Sequence, residues 1–296
     1  MSMRGGPGEP RDDDVALPLA PGLYVVATPI GNLEDITLRA LRVLRGADAI
    51  ACEDTRHTLK LLNHYGIHAR TVSYHEHNEA ERAAELMQEL RQGARIALVS
   101  DAGMPGISDP GYRIVSMAVA AGIAVVPVPG ATAFVAALAA SGLPTDSFRF
   151  GGFLPAKSGQ RRSALEGVAA SPYTEIFYEA PHRVVAALED LAAILGPDRH
   201  IVVAREVTKL HEEFLRGRVA DVLAKLKAHG EVKGEITLLI AKAEAKAETR
   251  PSAAALRQRL QQMMQDGQLD EKSALKKLAR EMGVSKSELY RELQRS

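Results

Sequence analysis

With 296 residues, 46% of them hydrophobic, the chain is long enough to bury the cores of one large or two ordinary domains, which excludes disorder as its default state. Its 37 basic and 37 acidic residues cancel, which excludes a generic polyanion binder; the imbalance is local, because residues 242–296 carry 12 Lys and Arg against 8 Asp and Glu while the rest carries 25 against 29. The lone cysteine, Cys52, cannot form an internal disulfide and fits a reducing cytoplasm, no Cys/His spacing resembles a zinc framework, and no apolar run approaches the length of a membrane span.

Residues 1–20 carry acids and prolines where a signal peptide would need a continuous apolar stretch, and they read as a flexible tail. LYVVAT (residues 23–28) is a short β-rich run, and residues 36–45 follow with apolar residues at helical spacing. The alternation continues with apolar runs at 49–52, 96–99 and 123–128 and helical stretches at 78–92 and 112–121, which predicts parallel strands joined by helical crossovers. A small-residue helix over 132–141 leads into a second series. Its strands are predicted at FRFGGF (148–153), TEIFYE (174–179), HIVVAR (200–205) and EITLLIA (235–241), with helices over 159–170, 182–195 and 218–228 between them. KAEAKAETRPS then reads as a linker or helical spacer. In the last segment, Ala274, Leu275, Leu278 and Ala279 mark one helix, Gly283 a tight turn, Ser285 an N-cap, and Leu289, Tyr290 and Leu293 a second helix. That spacing resembles a helix-turn-helix, and it equally suits a small helical cap that stabilises the body.

Three Gly/Pro-containing loops leave strands of the first series: TPIGNLEDIT, SDAGMPGISDPG and PVPGATA. In the second, three glycines and two prolines between residues 103 and 111 exclude a helix. Loops at the C-terminal ends of strands are where open α/β sheets bind ligands, and glycines let backbone polar groups approach one closely. The competing reading is a set of tight turns. Neither GxGxxG nor GxxxxGK[ST] is present, so a standard dinucleotide site or P-loop is not supported.

Taken together, TPIGNLEDIT, ACEDTR, SDAGMPGISDPG, PGATA, FGGFLP, FYEAPHR and AREVTK resemble the tetrapyrrole methylase superfamily and, within it, are similar to the ribosomal RNA small-subunit methyltransferase I family, over residues 23–241. The resemblance implies an α/β fold of two domains, about 21–131 and 132–243, with S-adenosylmethionine folded into the cleft between them, and a helix-turn-helix-like unit over 251–296. It implies 2′-O-methylation of a cytidine in 16S ribosomal RNA near the decoding centre, a small-subunit substrate, a cytoplasmic location and a homodimer. Carried over by motif, Pro29 and Gly31 lie beside the cofactor, Asp101, Met104 and Ser108 form a second wall, and Thr132 and Ala133 support it. Asp101 has an alternative role, capping its own Gly/Pro turn.

A ribose hydroxyl needs help losing its proton, and candidates for catalysis are Asp54, Glu179 and Glu206, with Arg56, Arg183 and Lys209 placed to hold RNA phosphate. Glu179 with Arg183 also suits a plain i,i+4 ion pair, and Arg205 with Glu206 a structural network. KSGQRR, with Lys157, Arg161 and Arg162, is either an RNA-phosphate contact or a solvated helix start. His75–Glu76–His77 lacks the i,i+4 histidines of a metalloprotease helix and reads as a solvated loop, so no metal is expected. Two other functions remain open: a tetrapyrrole acceptor, and nonenzymatic nucleic-acid binding through the C-terminal unit.

Overall fold

The computed structural model describes residues 19–228, 230–243, 253–267, 269–282 and 284–294, so the expected tail, most of the linker and the turn at Gly283 lie outside the described residues. The chain divides into two compact units, Met1–Ala243 and Glu244–Ser296.

In the first unit, β1 (Gly22–Val26) leads through a short 3-10 turn (Leu33–Asp35) to α1 (Leu38–Gly46), which starts where the Thr37 hydroxyl accepts the Ala40 amide at 3.0 Å. There follow β2 (Ala49–Cys52), α2 (Thr55–His64), β3 (Thr71–Ser73), α3 (Glu79–Arg91), β4 (Arg95–Leu98), α4 (Tyr112–Ala120) and β5 (Val125–Val128). These strands form one parallel sheet in the order β3-β2-β4-β1-β5. Neighbouring residues of a strand face opposite sides: Tyr24, Ile50 and Ala97 pack with Leu41 and Leu44 of α1 and Leu62 of α2, while Leu23, Ala51 and Ile96 pack with Leu86 of α3 and Ile114 of α4. Covering both faces leaves the strand ends free to carry loops.

α5 (Ala133–Ser141) connects to the second sheet, made of β6 (Phe148–Phe153), β7 (Thr174–Glu179), β8 (His200–Arg205), β9 (Glu213–Arg218) and β10 (Ile236–Ile240), with α6 (Ser158–Val168), α7 (Val184–Leu195) and α8 (Val219–Ala228) between them. The order is β6-β7-β10-β8-β9. Only β6 and β7 are parallel; β10 runs antiparallel to both β7 and β8, and β8 to β9. The all-parallel expectation therefore fails in this half. The segment between β8 and β9 is too short for a helical crossover, so the chain turns back as a hairpin. One face packs on α6, α7 and α8 through Leu165, Leu188 and Val222, and the other on α5 through Leu138.

The second unit is α9 (Ala253–Gly267), α10 (Glu271–Glu281) and α11 (Lys286–Leu293), closed around Leu256, Leu275, Leu278 and Leu289. Ser285 and Glu288 cap α11 reciprocally: the Ser285 hydroxyl accepts the Glu288 amide at 3.2 Å and the Glu288 carboxylate accepts the Ser285 amide at 2.9 Å.

Candidate active site

The loops after β1 and β4 are joined to each other. The Thr28 amide donates to the Gly103 carbonyl at 2.9 Å, the Gly103 amide returns to the Thr28 carbonyl at 3.1 Å, and the Thr28 hydroxyl donates to the Ser100 carbonyl at 3.1 Å. Gly103 sits at φ 84°, a conformation that disfavours any residue with a Cβ. Ser108 holds φ 65° without being glycine, the kind of local strain that concentrates at functional sites.

Beside this pair of loops lies a cavity of about 380 Å³, within the usual range for small-molecule sites. The loop after β4 contributes Asp101, Met104, Ser108 and Asp109, the start of α5 Thr132 and Ala133, the second sheet Tyr178, Glu179 and Thr237, and the residue before β10 Glu235. Asp101, Met104, Ser108, Thr132, Ala133 and Glu179 were all expected from the sequence, and the fold brings them to one wall. Asp109 and Glu235 were missed, although Asp109 belongs to the same Gly/Pro loop. Pro29 instead borders a second cavity, and Gly31 lies against Lys209 outside both.

Four carboxylates border the larger cavity, and no Lys, Arg or His does so among the described residues. Burial, followed by the charge of Glu53, pushes the Asp109 carboxyl up to about 6, with the Ser100 hydrogen bond opposing and Asp101 adding to the rise. Glu53 is raised as well, by burial and then by Asp101. The Glu179 side chain is fully buried; its Oε1 accepts the Ala180 amide and Arg183 Nη2, both at 2.7 Å, while Oε2 has no hydrogen-bond partner among the described residues. A buried carboxylate oxygen without a hydrogen bond carries a desolvation cost.

The other two catalytic candidates are committed elsewhere. Asp54 caps α2 through the Arg56 amide at 2.8 Å and pairs with the Arg56 guanidinium, whose hydrogen bond is the largest influence bringing the Asp54 carboxyl down to about 2. Its own amide donates to Asp101 Oδ1 at 3.1 Å. Glu206 Oε1 accepts Lys209 Nζ at 2.8 Å and the Glu235 amide at 2.9 Å; burial favours its neutral form, yet these bonds lower its carboxyl overall. Lys209 also meets Glu235 at 3.3 Å. Neither Asp54 nor Glu206 borders the cavity.

Among the expected RNA contacts, Arg56, Lys157 and Arg162 are exposed. Arg161 is not: it is 5% exposed and its guanidinium holds Asp190 of α7 at 2.6 Å and 2.9 Å, so the expected RNA-facing role is corrected to an internal ion pair between α6 and α7. Arg183 and Lys209 are engaged with Glu179 and with Glu206 and Glu235. In the His75–His77 stretch, His75 is half-buried rather than solvated, and its Nδ1 has no hydrogen-bond partner among the described residues.

The family profile of the tetrapyrrole (corrin/porphyrin) methylases matches residues 22–223. The chain is 49% identical over 272 residues to a protein of Halalkalibacterium halodurans named ribosomal RNA small subunit methyltransferase I, covering 90% of this chain and 93% of that one. To the protein of the same name from Escherichia coli O157:H7 it is 48% identical over 270 residues, covering 91% and 93%. Among solved structures, uroporphyrin-III C-methyltransferase from Thermus thermophilus complexed with S-adenyl homocysteine shares the fold at a TM-score of 0.51 and 22% identity, covering 74% of this chain and 96% of that one.

Proposed function

The chain belongs to the tetrapyrrole methylase family, and on that premise we propose that it is an S-adenosylmethionine-dependent methyltransferase of small-subunit ribosomal RNA that methylates the 2′-hydroxyl of a cytidine. The observation that carries the cofactor assignment is the acidic lining of the 380 Å³ cavity. When bound, S-adenosylmethionine supplies an electrophilic methyl group on a positively charged sulfonium. Asp101, Asp109, Glu179 and Glu235 give the cavity a negative field that suits this cation. Met104, Ile30 and Phe153 add an apolar surface that excludes water.

Glu179 is the one expected catalytic carboxylate that borders the cavity. Asp54 and Glu206 act through their neighbours: Asp54 shapes the start of α2, and Glu206 holds the loop after β8 against the start of β10. The proposed acceptor is the assembled small subunit, the proposed state a homodimer, and the proposed location the cytoplasm. Radiolabelled methyl transfer to small subunits, to naked 16S RNA and to a tetrapyrrole, followed by nucleoside mapping, tests the reading. It predicts 2′-O-methylcytidine; label in the tetrapyrrole alone would overturn it.

A further inference from the structure

The wall at Asp101 has two sides. Asp101 borders the 380 Å³ cavity and also a second cavity of about 220 Å³, the one that Pro29 reaches. Apart from Asp101, the second cavity is lined by Thr28, Pro29 and Leu33 of the loop after β1, by Ser100, and by one face of α2, which contributes His57, Thr58, Lys60 and Leu61. His57, Lys60 and Leu61 stand three and four residues apart, so one helical face presents an imidazole, an ammonium and an apolar contact together.

The two chambers differ in charge. The larger has four carboxylates and no basic side chain among the described residues, while the smaller has one lysine, one histidine and a single carboxylate, which it shares with the larger. A phosphodiester would be repelled by the first, whereas the second offers it the Lys60 ammonium as a local cation without the four-carboxylate field. The smaller cavity has room for one nucleoside unit and not for a helical stretch, which is the form in which a splayed-out nucleotide of single-stranded RNA is presented to a protein. Pro29 and Leu33 give it an apolar side for a base, and His57 and Lys60 are both exposed and free to meet a phosphate. The shared wall has an open acceptor: Asp101 Oδ1 takes the Asp54 amide at 3.1 Å, and Oδ2 has no hydrogen bond among the described residues.

The geometry points to the 220 Å³ cavity as the acceptor pocket, holding a single nucleotide with its phosphate against Lys60 and His57 and its ribose hydroxyl directed to Asp101 Oδ2, at the boundary with the cofactor chamber. This rests on the methyltransferase reading above. Asp101 then serves both chambers, as a wall of the cofactor site and as the hydrogen-bond acceptor that orients the hydroxyl. The β2–α2 junction is tied to that same carboxylate through the Asp54 amide, so α2 and its two cations are positioned relative to the shared wall.

Two measurements on the full-length protein test the pocket. In the first, the His57 ring proton signals are followed by NMR, assigned by their loss in His57→Ala, during separate titrations with cytidine 5′-monophosphate, cytidine and inorganic phosphate. The nucleotide should shift them at lower concentration than either part; equal response to phosphate alone would reduce the site to an anion contact and overturn the pocket. In the second, methylation of small subunits is measured for His57→Ala, Lys60→Ala and Lys60→Arg alongside calorimetric binding of S-adenosylmethionine. Each Ala variant should raise the acceptor KM roughly tenfold with cofactor affinity within about twofold, and Lys60→Arg should recover most of the loss. Unchanged KM values, or equal losses of acceptor and cofactor binding, would sink the proposal. Absence of methylation by the unsubstituted protein would be a separate outcome, overturning the functional reading and this pocket with it.

Discussion

The Lys209 stem packs against Gly31: a Cβ added at Gly31 would collide with Lys209 Cγ. The lysine stem thereby spans from the loop after β8 to the loop after β1, while its ammonium is held by Glu206 at 2.8 Å and Glu235 at 3.3 Å. Burial opposes the charged form of Lys209, but the hydrogen bond it donates to Glu206 and the charge of Glu235 outweigh it and raise the ammonium above its ordinary value. The contact fixes the first glycine-bearing loop against a charged cluster that has little freedom to move.

Gly31→Ala should therefore destabilise the protein by about 1–3 kcal/mol through overpacking. Urea denaturation of Gly31→Ala, Lys209→Ala and the double variant checks it: with the lysine stem removed, the alanine should cost much less than in the parent. Additive costs would show that the clash is absorbed elsewhere.

Asp109 offers a pH signature with opposite signs for stability and binding. Its folded-state carboxyl, at about 6, lies above its ordinary value of 3.8. Between those values the folded protein holds a proton that the unfolded chain has released, so this group's contribution to stability falls as pH rises through that window. Binding of a cationic cofactor favours the ionised form, so S-adenosylmethionine affinity should increase between about pH 5 and 7. Asp109→Asn should raise Tm at pH 7 relative to the parent and flatten the affinity profile over the same range. Differential scanning calorimetry and titration calorimetry read the two effects separately; a variant that keeps the parental affinity profile would remove Asp109 from the cofactor field.

Arg161→Ala should leave the folded site intact and weaken the fold. Burial raises the Asp190 carboxyl, but hydrogen bonds from Arg161 and Ser158 lower it overall, so the charged pair is the state that α6 and α7 pack around. Removing the guanidinium leaves a buried carboxylate with only Arg162, at 3.2 Å, and the Ser158 hydroxyl as partners, a loss of about 3 kcal/mol. Denaturant midpoints of Arg161→Ala and Arg162→Ala give the comparison: the first should be far below the parent and the second close to it.

The loop after β4 could be read from the sequence because its backbone conformation demands glycine, with Gly103, Gly106 and Gly111 all at positive φ, whereas Gly31 of the loop after β1 is required by the close approach of Lys209. The two βα series were legible from apolar runs such as those of β1 and β10, which are buried on every residue. β9 was not legible, because only Leu215 of its six residues is buried and its apolar signal is that of an edge. Without β9, the reversal after β8 and the antiparallel place of β10 could not be seen. α2 was also passed over, since its inward residues are spaced among histidines and lysine. The role of Arg161 depends on Asp190, 29 positions later on another helix, and a cluster of basic residues looks alike in sequence whether it faces solvent or a buried carboxylate. The acid-lined cavity was half legible: Asp101 stands in a conspicuous loop, whereas Glu235 lines the same cavity from the residue just before β10, more than 130 residues on.

The C-terminal unit has a core of its own, built from Leu256, Leu260, Leu275, Leu278 and Leu289, and residues 242–296 are locally basic, with 12 Lys and Arg against 8 Asp and Glu. None of the residues bordering either of the two cavities at Asp101 belongs to that unit. A chain ending at Ala243 should therefore bind S-adenosylmethionine within about twofold of the full protein. Its affinity for small ribosomal subunits should drop, and the salt dependence of that binding should become shallower as phosphate contacts are lost. Calorimetry with the cofactor and filter binding of subunits across a salt series separate the two. A shallower salt slope with cofactor binding retained identifies the unit as an RNA grip; equal loss of both affinities, with a lowered melting temperature, would identify it as a cap on which the methylase body depends.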